Sequence, residues 1–210
     1  MTISENKINL IKEDILGKGF HKTTYAHPQD PHLCIKIVHS IPDTDLNREM
    51  AYRNALKFCN KEKTSLTAYH GTVETNLGTG YIFDRVINFD GTACIDFKYL
   101  LEYPKEAEDM LGTKLYDIFA DFRELMLKEY VVVSDTDPVN FMIQRTSPST
   151  YTFKIIDNIG TPVLIPLVYY LDYLAVKRSH KYWQRFVTRC QETNAALFSE
   201  AEWSQLKQIV

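Results

Sequence analysis

The spacing of apolar positions changes character near residue 87 of the 210-residue chain. Before it, short runs dominate. Glu13 to Leu16, Lys22 to Ala26 and 32–38 (HLCIKIV) read as strands, separated by Gly17-Lys18-Gly19 and by the turn signal HPQDP. A helical pattern follows from Leu46 to Cys59. Leu46, Met50, Ala51, Leu56 and Phe58 lie near one stripe of it, and Asp43 or Asp45 can serve as its N-cap. Leu66 to Val73 and Gly80 to Val86 are two further strands, joined by the turn ETNLGT. The first part is therefore expected to be a small, mostly antiparallel sheet carrying one helix.

The segment 88–92 (NFDGT) reads as a boundary, which divides the chain into 1–86 and 87–210. Beyond it Leu111, Leu115, Ile118, Phe119, Phe122, Leu125 and Met126 recur at spacings of three and four, the mark of a core-facing helix. Tyr130 to Val133 is a short β-branched run, and the polar loop SDTDPVN comes next. FMIQ (141–144) and YTFKIID (151–157) then form a hairpin around RTSPST, and 164–210 reads as two or three helices. The fold class is α+β.

Hydrophobic residues at 45% and charged residues at 24% are ordinary for a folded globular chain. A net charge of −3 gives no basic footprint for general nucleic-acid binding. The amino terminus has no apolar core of a signal peptide, and no run approaches the ~20 apolar residues that span a bilayer. A cytoplasmic protein is expected, peripheral to a membrane at most. Cys34, Cys59, Cys94 and Cys190 are scattered without a CxxC pair, and the six histidines make no HExxH. Sulfur-bound zinc is thus disfavoured, and the thiols read as reduced and buried.

The candidate chemistry lies in an order of features, each of which alone has a plainer reading. Gly17-Lys18-Gly19-Phe20-His21 precedes a strand rather than a helix, so it suits a glycine-rich hairpin over phosphates better than a Rossmann turn. Lys36 sits inside an apolar strand, where a lysine is expensive unless its charge is paired. Glu49, on the following helix, is a carboxylate that could aim it. Asp135 and Asn140 stand five positions apart in the loop before the hairpin, and Asp157 ends the hairpin. Asn140 and Asp157 offer oxygen ligands to magnesium, a hard cation, while Asp135 faces an incoming hydroxyl as base. The plainer readings are a glycine turn, an edge-strand lysine, a solvated glutamate and an Asx-rich turn.

This order resembles the protein-kinase-like superfamily, with Asp135 and Asn140 at the catalytic loop and Asp157 at the magnesium motif. Within it the chain is similar to the bacterial family called PhoP regulatory network protein YrbL. That likeness is carried by YAHP (25–28), CIKIV (34–38), YHGTVET (69–75), GTGYIFD (78–84), NFDG (88–91) and DNIG (157–160) with LIP (164–166). The resemblance implies a two-lobed fold, with a small β-rich N-lobe of one helix and a reduced, mainly helical C-lobe. It implies ATP and magnesium as ligands, Lys36 on the α- and β-phosphates, and Asp84 to Val86 as the hinge that meets adenine. The departures are equally specific. Lys22 replaces the third loop glycine, Val133-Ser134 replaces His-Arg, and Asp137 stands where a phosphate-steadying lysine is usual. The magnesium motif runs Asp157-Asn158-Ile159-Gly160, and only residues 158–210 follow Asp157. A kinase acting on a small-molecule, sugar or lipid-linked glycan hydroxyl is therefore expected. A protein kinase or autophosphorylating kinase, and a pseudokinase-type binding module, are the alternatives.

One segment remains. KRSHKYWQRFVTRC (177–190) holds Lys177, Arg178, Lys181, Arg185 and Arg189 and no acid. Tyr182, Trp183, Phe186, Val187 and Cys190 fall on one helical side, with the basic stripe beside them. It reads as a core-packed helix with a solvated face, or as a border of the acceptor site or of an anionic membrane surface.

Overall fold

A computed structural model describes residues 7–39, 44–163 and 165–209. Contacts group the chain into two compact units, one of residues 1–44 and 67–87, the other of 45–66 and 88–210. The fold is α+β, and among the described residues no helix is long and apolar enough to cross a membrane.

The first unit is a five-stranded antiparallel sheet. Its strands are β1 (Ile15–Lys18), β2 (Lys22–His27), β3 (Asp30–Val38), β4 (Tyr69–Thr75) and β5 (Gly78–Asp84), in the spatial order β1-β2-β3-β5-β4. The sequence pattern places strands within a few residues of each of these, although Lys12–Asp14 is a 3-10 turn rather than strand. β3 is central and buried on both faces, with Cys34, Ile35, Lys36 and Ile37 all inaccessible. That explains its unbroken apolar run. Its neighbour Gly80 is a packing requirement, because a β-carbon there would run into Ile35 and come within 3.3 Å of Ile37 Cδ1.

The second unit holds α1 (Thr44–Phe58), the short strand β6 (Ile95–Asp96), α2 (Phe97–Glu102), α3 (Pro104–Leu111) and α4 (Leu115–Glu129). The hairpin β7 (Phe141–Ser147) and β8 (Thr150–Ile155) follows, then α5 (Asp172–Thr193) and α6 (Glu200–Lys207). The chain pattern groups α1 with the β-rich part, but its side chains pack on the second unit. The Tyr52 hydroxyl accepts the Val132 N–H (3.2 Å), and the Tyr52 ring lies 4.8 Å from that of Tyr169. Asp43 lies outside the described residues. Asp45 is inside the first helical turn and accepts from Arg48 at 2.9 Å, so it does not cap α1. The β-branched run 131–133 is buried but forms no strand. It meets the chain beyond the hairpin through one bridge, Val133 with Ile159.

The core of this unit is aromatic. The Phe97 ring centre lies 4.8–5.9 Å from those of Phe119, Phe122, Phe153 and Phe186, which joins α2, α4, β8 and α5 in one cluster. α5 contributes Tyr182, Trp183, Phe186, Val187 and Cys190, all buried, so the core-packed reading of that helix describes this face. α4 is tied down at its end. The Glu129 carboxylate takes four hydrogen bonds, from the N–H and hydroxyl groups of Thr64 and Ser65. Burial would raise the pKa of that carboxyl, but the donors from Ser65 and Thr64 outweigh it and hold it below the ordinary glutamate range. The four cysteines are free thiols, two buried (Cys34, Cys190) and two only half-buried (Cys59, Cys94).

Two stability outcomes are expected. Phe186→Ala should cost about 3–5 kcal/mol in chemical denaturation, while Arg185→Ala, on the exposed side of the same helix, should stay within about 0.5 kcal/mol. Glu129→Gln should cost about 1–3 kcal/mol at neutral pH. Because the folded-state pKa is depressed, that contribution is present above the unfolded value of ~4.3 and fades as pH falls through the folded one. Urea titrations should therefore show the gap to wild type closing in acid. A gap that widens there would contradict the assignment.

Candidate functional site

In the first unit the turn between β1 and β2 presents Gly17, Gly19, Phe20 and His21, all exposed. The turn is closed by the Gly19 N–H donating to the Lys22 carbonyl at 2.9 Å. A β-carbon at Gly17 would meet nothing within 4 Å, and one at Gly19 only the Lys22 carbonyl at 3.5 Å. Internal packing therefore does not require glycine at either position. Bare backbone at an exposed hairpin tip suits close approach by a ligand. Phe20 is 94% exposed, and its ring meets that of His21 edge-on at 4.9 Å.

Lys36 is buried at 6% exposure, with its ammonium 4.4 Å from the centre of the Phe83 ring. A strand lysine that is neither at a sheet edge nor reaching water rules out the snorkelling reading. At the end of β5, Asp84 accepts from the Ala68 N–H (2.8 Å) and pairs with His70 Nε2 (2.6 Å). Its own N–H donates to the Ala68 carbonyl at 3.0 Å. Its polar groups thus serve the sheet, and Val86, half-buried, follows two residues on.

In the second unit Glu49 is 1% exposed on α1, so it is not a surface glutamate. Arg53, one turn on, donates to its Oε1 from Nε (2.9 Å) and Nη2 (2.6 Å). Lys36 and Glu49 belong to different units. Arg53 was not singled out from the sequence, although its i+4 spacing from a buried acid is a readable signal.

The loop 134–140 is held from both ends. Ser134 donates through its N–H (2.7 Å) and its hydroxyl (3.0 Å) to the Asn158 carbonyl, and the Gly160 N–H reaches the Val132 carbonyl at 2.7 Å. Asp137 caps the 3-10 turn Pro138–Asn140 by accepting the Val139 N–H at 3.2 Å. The Asn140 carbonyl accepts the Ile156 N–H at 3.0 Å, and Phe141 pairs with Ile155. Asn140 and Asp157 consequently flank the same open end of the hairpin. Asn140 is 6% exposed and its Nδ2 has no hydrogen-bond partner. A buried orphan atom at a proposed ligand calls for a missing group, and a half-turn of the carboxamide would offer the oxygen instead.

Among the described residues no group of three or more His, Cys, Asp or Glu side chains could hold a metal ion. One carboxylate with one carboxamide is a sparser set, of the sort magnesium accepts when phosphate oxygens and water complete its shell.

Sequence reasoning placed Arg189 in the basic stripe but did not pair it with the acidic loop. From α5 its Nη1 donates to Asp135 Oδ1 at 2.6 Å, and its Nη2 lies 3.6 Å from Asp137 Oδ2. Partial burial works against the guanidinium's charge. The Asp135 hydrogen bond and the charges of Asp135 and Asp137 outweigh it and raise its pKa. Asp137 therefore has two roles here, turn cap and arginine anchor. Among the described residues Asp135 Oδ2 takes no hydrogen bond, which leaves it open to a hydroxyl proton.

These features define an α+β protein whose candidate chemistry is a hydrogen-bonded acidic loop beside a carboxylate-tipped hairpin. The chain belongs to the family described as PhoP regulatory network protein YrbL, which it matches over residues 8–191. It is 32% identical over 185 residues to the protein named "Uncharacterized protein YrbL" of Escherichia coli (strain K12), covering 87% of each chain. The same identity and coverage hold for the protein of that name from Shigella flexneri.

The glycines separate structural from ligand-facing roles. Gly160 has φ +93°, and a β-carbon there would lie 2.7 Å from Tyr169 Oη and 2.9 Å from the Arg48 carbonyl. Gly160→Ala should destabilise by at least about 1–3 kcal/mol, whereas Gly17→Ala should leave the melting temperature unchanged or slightly raised. Equal losses in differential scanning calorimetry would refute the distinction.

Proposed function

We propose that this chain is a compact protein-kinase-like phosphotransferase, moving the γ-phosphate of ATP to a hydroxyl of a non-protein acceptor. The observation that carries the reading is the second unit's acidic loop and hairpin. Asp135 has one open oxygen, and Asn140 and Asp157 stand together at the hairpin's end with an orphaned carboxamide atom between backbone tethers. The buried Lys36 and the bare glycine hairpin of the first unit support it.

In this reading the backbone of Gly17 to His21 covers phosphate, Lys36 binds phosphate oxygens, and the backbone of Asp84 to Val86 meets the adenine. Glu49 and Arg53 form a buried pair that stiffens α1. Asn140 and Asp157 would hold magnesium, which when bound neutralises charge on the β- and γ-phosphates. The acceptor oxygen bonds to the γ-phosphorus as its proton passes to Asp135 Oδ2. The bond from that phosphorus to the β,γ-bridging oxygen breaks, and ADP leaves with the electron pair. The ion pair with Arg189 holds Asp135 in one rotamer. That same pairing favours a second reading, a nucleotide-binding module without turnover.

Magnesium-ATP should raise the melting temperature, since a ligand at about a hundredfold over its Kd stabilises by ~2.7 kcal/mol. Asp157→Asn should lose most of the magnesium-dependent part with the ligand-free melting point retained, and an undiminished shift would remove Asp157 from the site. With a panel of hydroxyl acceptors, Asp135→Ala should lower phosphotransfer by about 10² to 10⁴ with nucleotide binding kept, and Asp137→Ala should be milder. Binding without any turnover across the panel would favour the second reading.

A further inference from the structure

Beside the acidic loop, the exposed face of α5 forms an open groove of about 470 Å³ with Thr136 on one wall and Lys181, Gln184, Arg185, Thr188 and Arg189 on the other. Every group lining it belongs to the second unit. The aromatic side of α5 is buried in the core, so the orientation of this polar face is fixed by packing rather than chosen by solvent.

The charge along the groove is uneven. Arg189 is matched by Asp135 and Asp137, and Glu192, one turn further, adds another acid at that end. Arg185 and Lys181, one and two turns the other way, form no ion pair among the described residues. The groove therefore has a compensated, acid-lined end at the candidate base and an uncompensated cationic end away from it. Successive members of the stripe stand about 6 Å apart along the helix axis, at 1.5 Å of rise per residue. Roughly one sugar ring separates a hydroxyl at Asp135 from an anion at Arg185.

We infer that this groove is the acceptor subsite and that it takes a small polyol or sugar already carrying a phosphate, held by Arg185 and Lys181 while a free hydroxyl lies at Asp135. The inference rests on the phosphotransfer reading for the word acceptor, but the anion site stands or falls on its own. Arginine suits the task because its planar fork binds phosphate oxygens in pairs. Arg189 acts as a positioning residue. Anchored by Asp137, it returns a cation to a loop that lacks the usual lysine and fixes the register in which the hydroxyl reaches Asp135. The acids at the same end repel the phosphate, so the ligand can enter in one direction only.

The test is equilibrium binding to the full chain, without nucleotide, of glycerol 3-phosphate, hexose monophosphates, the parent polyols and inorganic phosphate. Vesicles of phosphatidylserine in phosphatidylcholine form a separate arm. Saturable binding of at least one phosphate ester is expected, with its parent polyol silent and affinity falling as salt rises. Lys181→Glu with Arg185→Glu should weaken it about tenfold or more, leaving magnesium-ATP binding and the melting point unchanged. Binding that the double variant does not change would overturn the inference, as would silence of every ester. Vesicle binding without ester binding would also overturn it, in favour of a membrane surface. Ester binding in a protein that ignores magnesium-ATP would uphold the anion site and remove the kinase reading.

Discussion

The second unit depends on the burial of one face of α5. Tyr182, Trp183, Phe186, Val187 and Cys190 bring that helix into the aromatic cluster built around Phe97 and Phe122, and their burial sets its rotation. Everything polar on the opposite face is then fixed in direction. Arg189 points at the acidic loop because Phe186 and Cys190, on either side of it in sequence, point into the core. A few ångströms of drift in α5 would break the ion pair with Asp135 and leave two acids facing each other without a counter-ion.

The loop itself is held by backbone rather than by charge. Ser134, Asn140 and Gly160 bind chain on the far side of the hairpin, and Gly160 lacks a side chain because Tyr169 and Arg48 fill the space one would need. An exposed pair such as Arg189 with Asp135 contributes at most about 1 kcal/mol to stability, so its value is geometric. It keeps a candidate base in one place and gives Asp137 a purpose that a like-charged neighbour would otherwise lack. The loop's two acids are met by one arginine from elsewhere in the chain.

What the sequence made legible was local. Strand runs, the hairpin around 141–157, the periodicity of α4 and the aromatic stripe of α5 all follow from spacing, and the family follows from short specific strings. α2 and α3 were not anticipated, because 97–111 mixes apolar and charged residues too evenly to show a stripe. The grouping of α1 was misjudged for a tertiary reason, since Tyr52 and Arg48 find their partners at 132 and 159. Arg189 was read as part of a basic stripe bordering an acceptor site, but not as the partner of Asp135. Its partners lie more than fifty positions away, and no periodicity reports a contact at that separation. The available hint was negative, an acid-free stretch (177–190) in a chain whose acidic loop lacked a cation.

The proposal most open to direct test is that Asn140 and Asp157, at the end of the second unit's hairpin, serve a magnesium nucleotide. Isothermal titration of ATP into the wild-type protein, with and without magnesium, addresses it most directly. The account predicts one-to-one binding that requires magnesium and is greatly weakened by Asp157→Asn. Binding indifferent to both magnesium and Asp157, or no binding at all, would contradict it.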